Sequence, residues 1–260
     1  DIAPFVSAMI GRDIGDPKSV NLSNLRVVAF PDGFGWQILL SSVEPDVRQA
    51  VVNVADFLGK QVVGQSNVVF AKAPAYTEDA SLQYVPNITT GEIPLDQKLV
   101  GPNRPPFSWW RELIPILLGR SDHTLNAFIL SFLETTTANS VTRDMVKPFW
   151  DRLDKYFSDL MGDNGVLIFP TSPQKAQPHG VTYFNFPNFI YTGAFNVLGY
   201  PSTQVPLGLS KDGLPLGVQV IAKNGQDLKT IAVALALEKR FGGWTPPRRF
   251  GAPVAESEMV

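Results

Sequence analysis

Three short constellations in this chain carry residue types capable of covalent chemistry. Ser172-Pro173-Gln174-Lys175 matches the S-x-x-K pattern, in which a helix sets a serine nucleophile and a lysine on one face. Here Pro173 and the apolar run Val166 to Phe169 before it oppose a helix, and no S-D-N or K-T-G accompanies them, so a strand-exit loop is expected. Ser121-Asp122-His123 supplies the three residue types of a hydrolytic triad. Adjacent in sequence at the start of an apolar helix, they read instead as an N-cap arrangement. Ser41-Ser42 lies between Leu40 and Val43, with no glycine beside it to offer backbone amides to an oxyanion, and His179 before Gly180 reads as a loop residue. Two histidines and no cysteine argue against a zinc site and remove thiolate chemistry. No catalytic residue, metal or cofactor is assigned on these grounds.

The elements around these residues follow from periodicity. Ile2 to Ile10 reads as a helix end and Gly11 to Ser19 as a polar turn. Leu25 to Phe30 reads as a strand; Glu44 to Leu58 carries Val47, Val51, Val54, Ala55 and Leu58 at helical spacing, with Pro45 suited to a first turn; Val62 to Phe70 returns as strand. That β-α-β order predicts a parallel pair. Residues 73–106, rich in Pro, Gly, Thr and Asn, read as one long irregular loop. Trp109 to Leu118, Thr124 to Glu134 and Lys147 to Met161 read as helices, the last with Trp150, Leu153, Tyr156, Phe157 and Leu160 inward, and Val166 to Phe169 as a buried strand. Ser202 to Leu209 and Gly217 to Ala222 are strands joined through Lys211-Asp212-Gly213, where glycine accepts positive φ. Pro206 and Pro215 belong at strand ends or edges. A buried helix then runs to about Phe241 and stops at Gly242-Gly243. The fold class is α/β, a mixed β-sheet flanked by helices.

The stretch Tyr191 to Trp244, with FNVLGYPSTQVPLG and GLPLGVQVIA in register, resembles the C-terminal region of amidase signature enzymes. DIAPFVSAMIGRDIGDPKSV, LLGRSDHTLNAFILSFLE and VLIFPTSP fall in that family's order, so the resemblance covers nearly the whole chain up to Pro247. The His123-Thr124-Leu125 helix and the Phe241-Gly242-Gly243-Trp244 ending are most similar to the fatty-acid amide hydrolase type 2-like subgroup. The resemblance implies hydrolysis of carbon–nitrogen amide bonds by a serine nucleophile, a bridging serine and a lysine, with glycine-rich backbone amides for the oxyanion. The glycine–serine-rich segment that carries these groups is not found in this sequence, and none of the three catalytic residues maps onto a position here. The expectation is one incomplete domain over residues 1–260, the C-terminal part of the amidase signature fold, with a tail at 248–260. Asp1 in place of Met points to truncation or processing.

By the same resemblance Thr192 and Phe195 would line an apolar pocket, and Gly225 would sit at a wall where the family often has a bulkier residue. The aromatics Phe184, Phe186, Phe189, Tyr191 and Phe195 read either as a lipid-binding wall or, preferentially, as core, and Asn196 as a satisfied group capping a buried turn. The expected partners are a small-molecule amide or lipid substrate and the missing N-terminal catalytic segment, with self-association where sheet edges and apolar surface are exposed. A net charge of -2, from 22 basic and 24 acidic residues, gives no electrostatic case for nucleic acid. No apolar run approaches the ~20 residues of a membrane span, which leaves any membrane association to the missing N-terminal part. The absence of cysteine fits an intracellular protein. Two further readings stay open: a non-catalytic lipid- or amide-binding protein derived from an amidase, and one piece of a split or processed hydrolase.

Overall fold

A computed structural model describes residues 2–35, 40–89, 95–101, 104–137 and 142–245. In chain order the main elements are α1 (Ile2–Ile10), β1 (Arg26–Ala29), α2 (Pro45–Leu58), β2 (Val68–Phe70), α3 (Ala80–Thr89), α4 (Leu95–Val100), α5 (Trp109–Leu117), α6 (Leu125–Thr137), α7 (Arg143–Met161), β3 (Gly165–Pro170), α8 (Ile190–Leu198), β4 (Ser202–Leu209), β5 (Pro215–Ile221) and α9 (Asp227–Phe241). They fall into two compact units: residues 1–78 with 154–260, and residues 79–153. The expected tail at 248–260 lies outside the described residues.

The first unit holds a mixed sheet in the order β2-β1-β3-β5-β4. β1 runs parallel to β2 and to β3, with Val27 opposite both Val68 and Val166. β3 and β4 each run antiparallel to β5. Because side chains alternate across a strand, Val27 and Ala29 join Val166, Ile168, Val218 and Val220 on the face covered by α2 residues Val51, Val54, Ala55 and Leu58 and by Leu237. The opposite face carries Phe30 and Phe169, packed with Phe157 and Phe195 at ring separations of 5.2 to 5.6 Å. β1 and β3 are therefore apolar at consecutive positions, as strands covered on both sides must be. Each large side chain fully buried here contributes roughly 1.5–3 kcal/mol.

The turn chemistry is as read. Gly213 has φ 76°, and its N–H donates to the Ser210 carbonyl at 2.8 Å. Pro215 opens β5, and Pro206 lies on β4, at the end of the strand order, where the pairing register shifts. Gly242, at φ 86°, ends α9. Three readings are corrected. The run Val62 to Phe70 is strand only from Val68: helical turns persist through Val63, and Gly64 at φ 83° breaks the chain before a single 3-10 turn, Gln65–Asn67. A short β-branched run does not by itself separate strand from helix. The region 73–106 is not a structureless loop, since it contains the 3-10 segment Ala75–Asp79, α3 and α4; Pro86 inside α3 obscured the helical pattern. Finally, Ile190–Leu198 is a helix where none was read, ended by Gly199 at φ 69°.

The second unit is helical. α5 carries Trp110, Leu113, Ile114 and Leu117 exposed on one stripe, while Trp109 packs edge-on against Phe128 and Phe132 of α6. Trp150 donates its indole N–H to the Gln83 carbonyl at 3.1 Å.

Back in the first unit, Lys175 ties three segments together. Its ammonium lies 2.7 Å from Asp46 at the start of α2, 2.7 Å from Asp212 in the β4–β5 turn and 3.8 Å from Glu44. Hydrogen bonds to Asp212 and Asp46 raise the lysine's pKa, and the same lysine holds the Asp212 carboxyl below its usual value. A carboxylate depressed in the folded state adds stability above its unfolded pKa and loses it as pH falls through the folded value. Lys175→Met is therefore expected to lower stability at pH 7, with the gap to wild type narrowing as acid protonates Asp212. Urea melts of both proteins across the acid range check this; a gap independent of pH would contradict it.

Candidate functional site

The parallel strands β1 and β2 both end on the same side of the sheet, the edge where open α/β sheets leave room for ligands. The chain leaves β1 through Pro31 to Gly35 and leaves β2 through Lys72 to Thr77. Between them lies a cleft of about 440 Å³, lined among others by Asp32, Phe34, Ser42, Val43, Lys72 and Thr77. One acidic and one basic residue therefore line it, alongside two hydroxyls and apolar side chains.

Each wall is fixed by an identifiable contact. In the first, Gly33 N–H donates to Phe30 O at 3.0 Å and Gly35 N–H to Asp32 O at 2.8 Å. Gly33 has φ 54°, and a Cβ placed there would sit 2.4 Å from Cε1 of Tyr191, so both the backbone and the space demand glycine. Arg48 on α2 pairs with Asp32 at 3.0 Å. Phe34 faces the aromatic cluster, with centroids 5.0 Å from Phe169, 5.4 Å from Tyr191 and 6.4 Å from Phe195. In the second wall, Ser41 N–H donates to Asn188 Oδ1 at 3.0 Å, and Asn188 Nδ2 donates to Ser41 Oγ at 3.0 Å. In the third, the Tyr156 hydroxyl donates to Lys72 O at 2.6 Å and Thr77 Oγ1 donates to Pro74 O at 2.7 Å.

None of Thr192, Phe195 and Gly225 lines this cleft. Phe195 is buried in the aromatic cluster behind Phe34. Thr192 is exposed on α8 and donates its hydroxyl to Phe189 O at 3.1 Å. Gly225 is an exposed turn glycine at φ 76°, with open space where a Cβ would stand. The aromatic run divides: Tyr191 and Phe195 are core, whereas Phe184 is 87% exposed and Phe186 38%. Asn196, read as capping a buried turn, is an exposed α8 residue. Sequence reasoning passed over the cleft's own residues. The signal available was Asp32-Gly33-Phe34-Gly35 directly after a strand, two glycines spaced for a tight turn.

The catalytic look-alikes have other occupations. Lys175 is held by carboxylates and kept protonated, and Ser172 Oγ accepts from the Gln174 amide at 3.3 Å in a loop. Ser121 donates to Glu112 at 2.6 Å and accepts from the His123 amide at 3.0 Å, while the His123 ring packs edge-on to Phe107. The residue that caps α6 is Thr124, accepting from the Ala127 amide at 3.3 Å, one position beyond the Ser-Asp-His group. His179 is an exposed loop residue. Among the described residues, no group of three or more His, Cys, Asp or Glu is placed to hold a metal ion.

Residues 120–231 match the family model described as Amidase. Fatty-acid amide hydrolase 2-A of Danio rerio is 35% identical across 95% of this chain and 47% of its own length. Fatty-acid amide hydrolase 2 of Homo sapiens is 34% identical across 96% of this chain and 48% of its own. The chain thus spans about half the length of these relatives. Among solved structures, one titled "Crystal structure of amidase" superposes with TM-score 0.60 at 16% identity, over 92% of this chain and 50% of that one, a likeness of fold.

The placement of Phe195 generates a stability prediction. Removing a ring from a filled cluster leaves a cavity, so Phe195→Ala should cost about 3–5 kcal/mol. Thr192→Ala, on the exposed face of the same helix, should stay within about 0.5 kcal/mol. Denaturant melts of the two variants measure the contrast; comparable small losses would place Phe195 outside the core.

Proposed function

The chain belongs to the amidase signature family, and we propose that it forms the substrate-side portion of a carbon–nitrogen hydrolase acting on linear, fatty-acyl amides, with the serine–serine–lysine segment outside these 260 residues. The observation that carries this reading is the match to two fatty-acid amide hydrolase 2 proteins along more than nine-tenths of the chain. The sheet-end cleft offers hydrogen-bonding groups beside apolar walls, a lining suited to a polar, uncharged group such as an amide. Ser172 accepts from a backbone amide, Ser41 is engaged by the Asn188 amide, and Ser121, which donates to the Glu112 carboxylate, is not among the residues lining the cleft, so the nucleophile and its proton acceptor are assigned to the remaining half of the enzyme.

A second reading is a non-catalytic amide- or lipid-binding protein, favoured by a cleft formed wholly by residues of this chain, with the Thr77 hydroxyl donating to the Pro74 carbonyl. The two part on turnover. Joined to a segment carrying the family's Gly-Ser-Ser-Gly and lysine, the chain should hydrolyse amides if the first reading holds, and only bind them if the second does.

The purified chain alone is expected to show no hydrolysis of a fatty anilide, because positioning without a nucleophile accelerates little. Turnover blocked by a fluorophosphonate, with the label on a serine among these 260 residues, would refute this. In the joined protein, transition-state affinity should rise by about 0.8 kcal/mol per buried methylene until the site is full. Specificity constants for amides of increasing chain length test it, and a flat series would exclude an acyl-chain site.

A further inference from the structure

We propose that Asn188 and Tyr191 are positioning residues that set two walls of the sheet-end cleft from behind, without touching its occupant. The inference rests on the hydrolase reading for the identity of that occupant, and on the geometry for everything else.

Asn188 sits in the 3-10 turn Phe186–Phe189 just before α8. Its amide could have capped that turn locally. Instead the carbonyl accepts from the Ser41 N–H and the Nδ2 donates to Ser41 Oγ, 147 residues away in sequence, with Gln174 Oε1 at 3.4 Å from the same nitrogen. The next two residues, Ser42 and Val43, line the cleft. A two-point clasp fixes both the position and the rotation of the segment that enters that wall, which one hydrogen bond would not do.

Tyr191 acts on the other wall. Its ring is fully buried, and its hydroxyl oxygen lies where a side chain at position 33 would begin, 2.8 Å from an idealised Cβ. Burial, with the Asp32 charge, raises the phenol's pKa; the Phe34 amide approaches in the opposite sense, yet the contact falls short of a hydrogen bond. A phenylalanine would fill the aromatic cluster equally well. Burying an unpaired hydroxyl is unfavourable in itself. The consequence visible at this position is that the oxygen props the Asp32–Gly35 turn, and so the cleft face of Phe34. Gln219 Nε2 holds the Tyr191 carbonyl at 2.7 Å, which keeps the prop from shifting along α8.

A wall held before binding lowers the ordering cost of binding, so loosening it should weaken affinity more than stability. The test follows the backbone-amide NMR spectrum of the purified chain during titration with hexanamide, after each variant's melt has been recorded. Saturable shifts are expected at Gly33, Gly35, Ser42 and Ala75 in the wild type. Asn188→Ala should weaken hexanamide about tenfold, and Tyr191→Phe should weaken it about threefold with an undiminished melting temperature. Asn188→Asp keeps the acceptor for the Ser41 amide and offers a second oxygen to which the Ser41 hydroxyl can donate, so the two-point clasp survives with one bond reversed and the variant should bind nearly as the wild type does. Both conservative variants keep the test valid should Asn188→Ala fail to fold. Equal hexanamide affinity in wild type, Asn188→Ala and Tyr191→Phe would overturn the positioning role and leave the hydrolase reading standing. Wild-type protein with no shifts at the cleft would overturn the proposal together with the cleft's part in that reading, which turnover by the joined protein tests separately.

Discussion

A sheet covered on both faces leaves its end carbonyls without water, and the side chain of Gln219 supplies what water would. It is 2% exposed in the middle of β5. Its Nε2 donates to Pro170 O at 3.0 Å and to Tyr191 O at 2.7 Å, and its Oε1 accepts from Ser202 Oγ at 3.0 Å. One amide thereby joins β5 to the end of β3, to α8 and to the start of β4. A buried amide with these groups unpaired would cost about 1–3 kcal/mol for each lost partner. The position of α8 follows from this bond, and with it the placement of Tyr191 and Phe195 over the aromatic face of the sheet.

The aromatic cluster in turn decides what the neighbouring cleft can be. Phe34 belongs to both, stacking toward Phe195 while lining the cavity. Edge-on contacts among Phe30, Phe34, Phe157 and Phe169 give each ring a preferred orientation beyond simple burial. Charge stays out of the aromatic cluster: Arg48 pairs with Asp32, which itself lines the cleft, and the Lys175 cluster braces loops elsewhere in the unit. Exposed pairs of this kind add little by themselves. Lys175 differs because its side chain is only 13% exposed and is shared among three segments.

Much of this was legible in the residues. The β1–α2–β2 unit, the β4–β5 hairpin around Asp212-Gly213 and the stop of α9 at Gly242 each carry a local signal that agrees with the tertiary structure. Legibility failed where two periods compete or where the decisive partner is distant. Val62-Val63 has strand-like composition but stays helical because Gly64, not composition, ends the helix. Pro86 made α3 look like loop. Tyr191, Ala194 and Phe195 have helical spacing followed by Gly199, a readable signal that the motif reading of that segment overrode. The resemblance pointed to Thr192, Phe195 and Gly225, yet the cleft is lined by residues from earlier segments, and no local pattern links Ser41 to Asn188.

That separation has a physical consequence for how the site responds to change. The cleft's walls arise from the turn after β1, the segment before α2 and the loop after β2, and their ties come from Tyr191, Asn188 and Tyr156, all distant in sequence. Contacts so far apart in the chain form only when the first unit is assembled, since closing loops of that length is unfavourable until packing rewards it. The cleft is therefore a property of the folded sheet rather than of any segment that lines it. On the positioning role proposed above, substitutions at Asn188 and Tyr191 would act on the cleft through the Ser41 clasp and the contact with Gly33, although neither side chain lines the cavity.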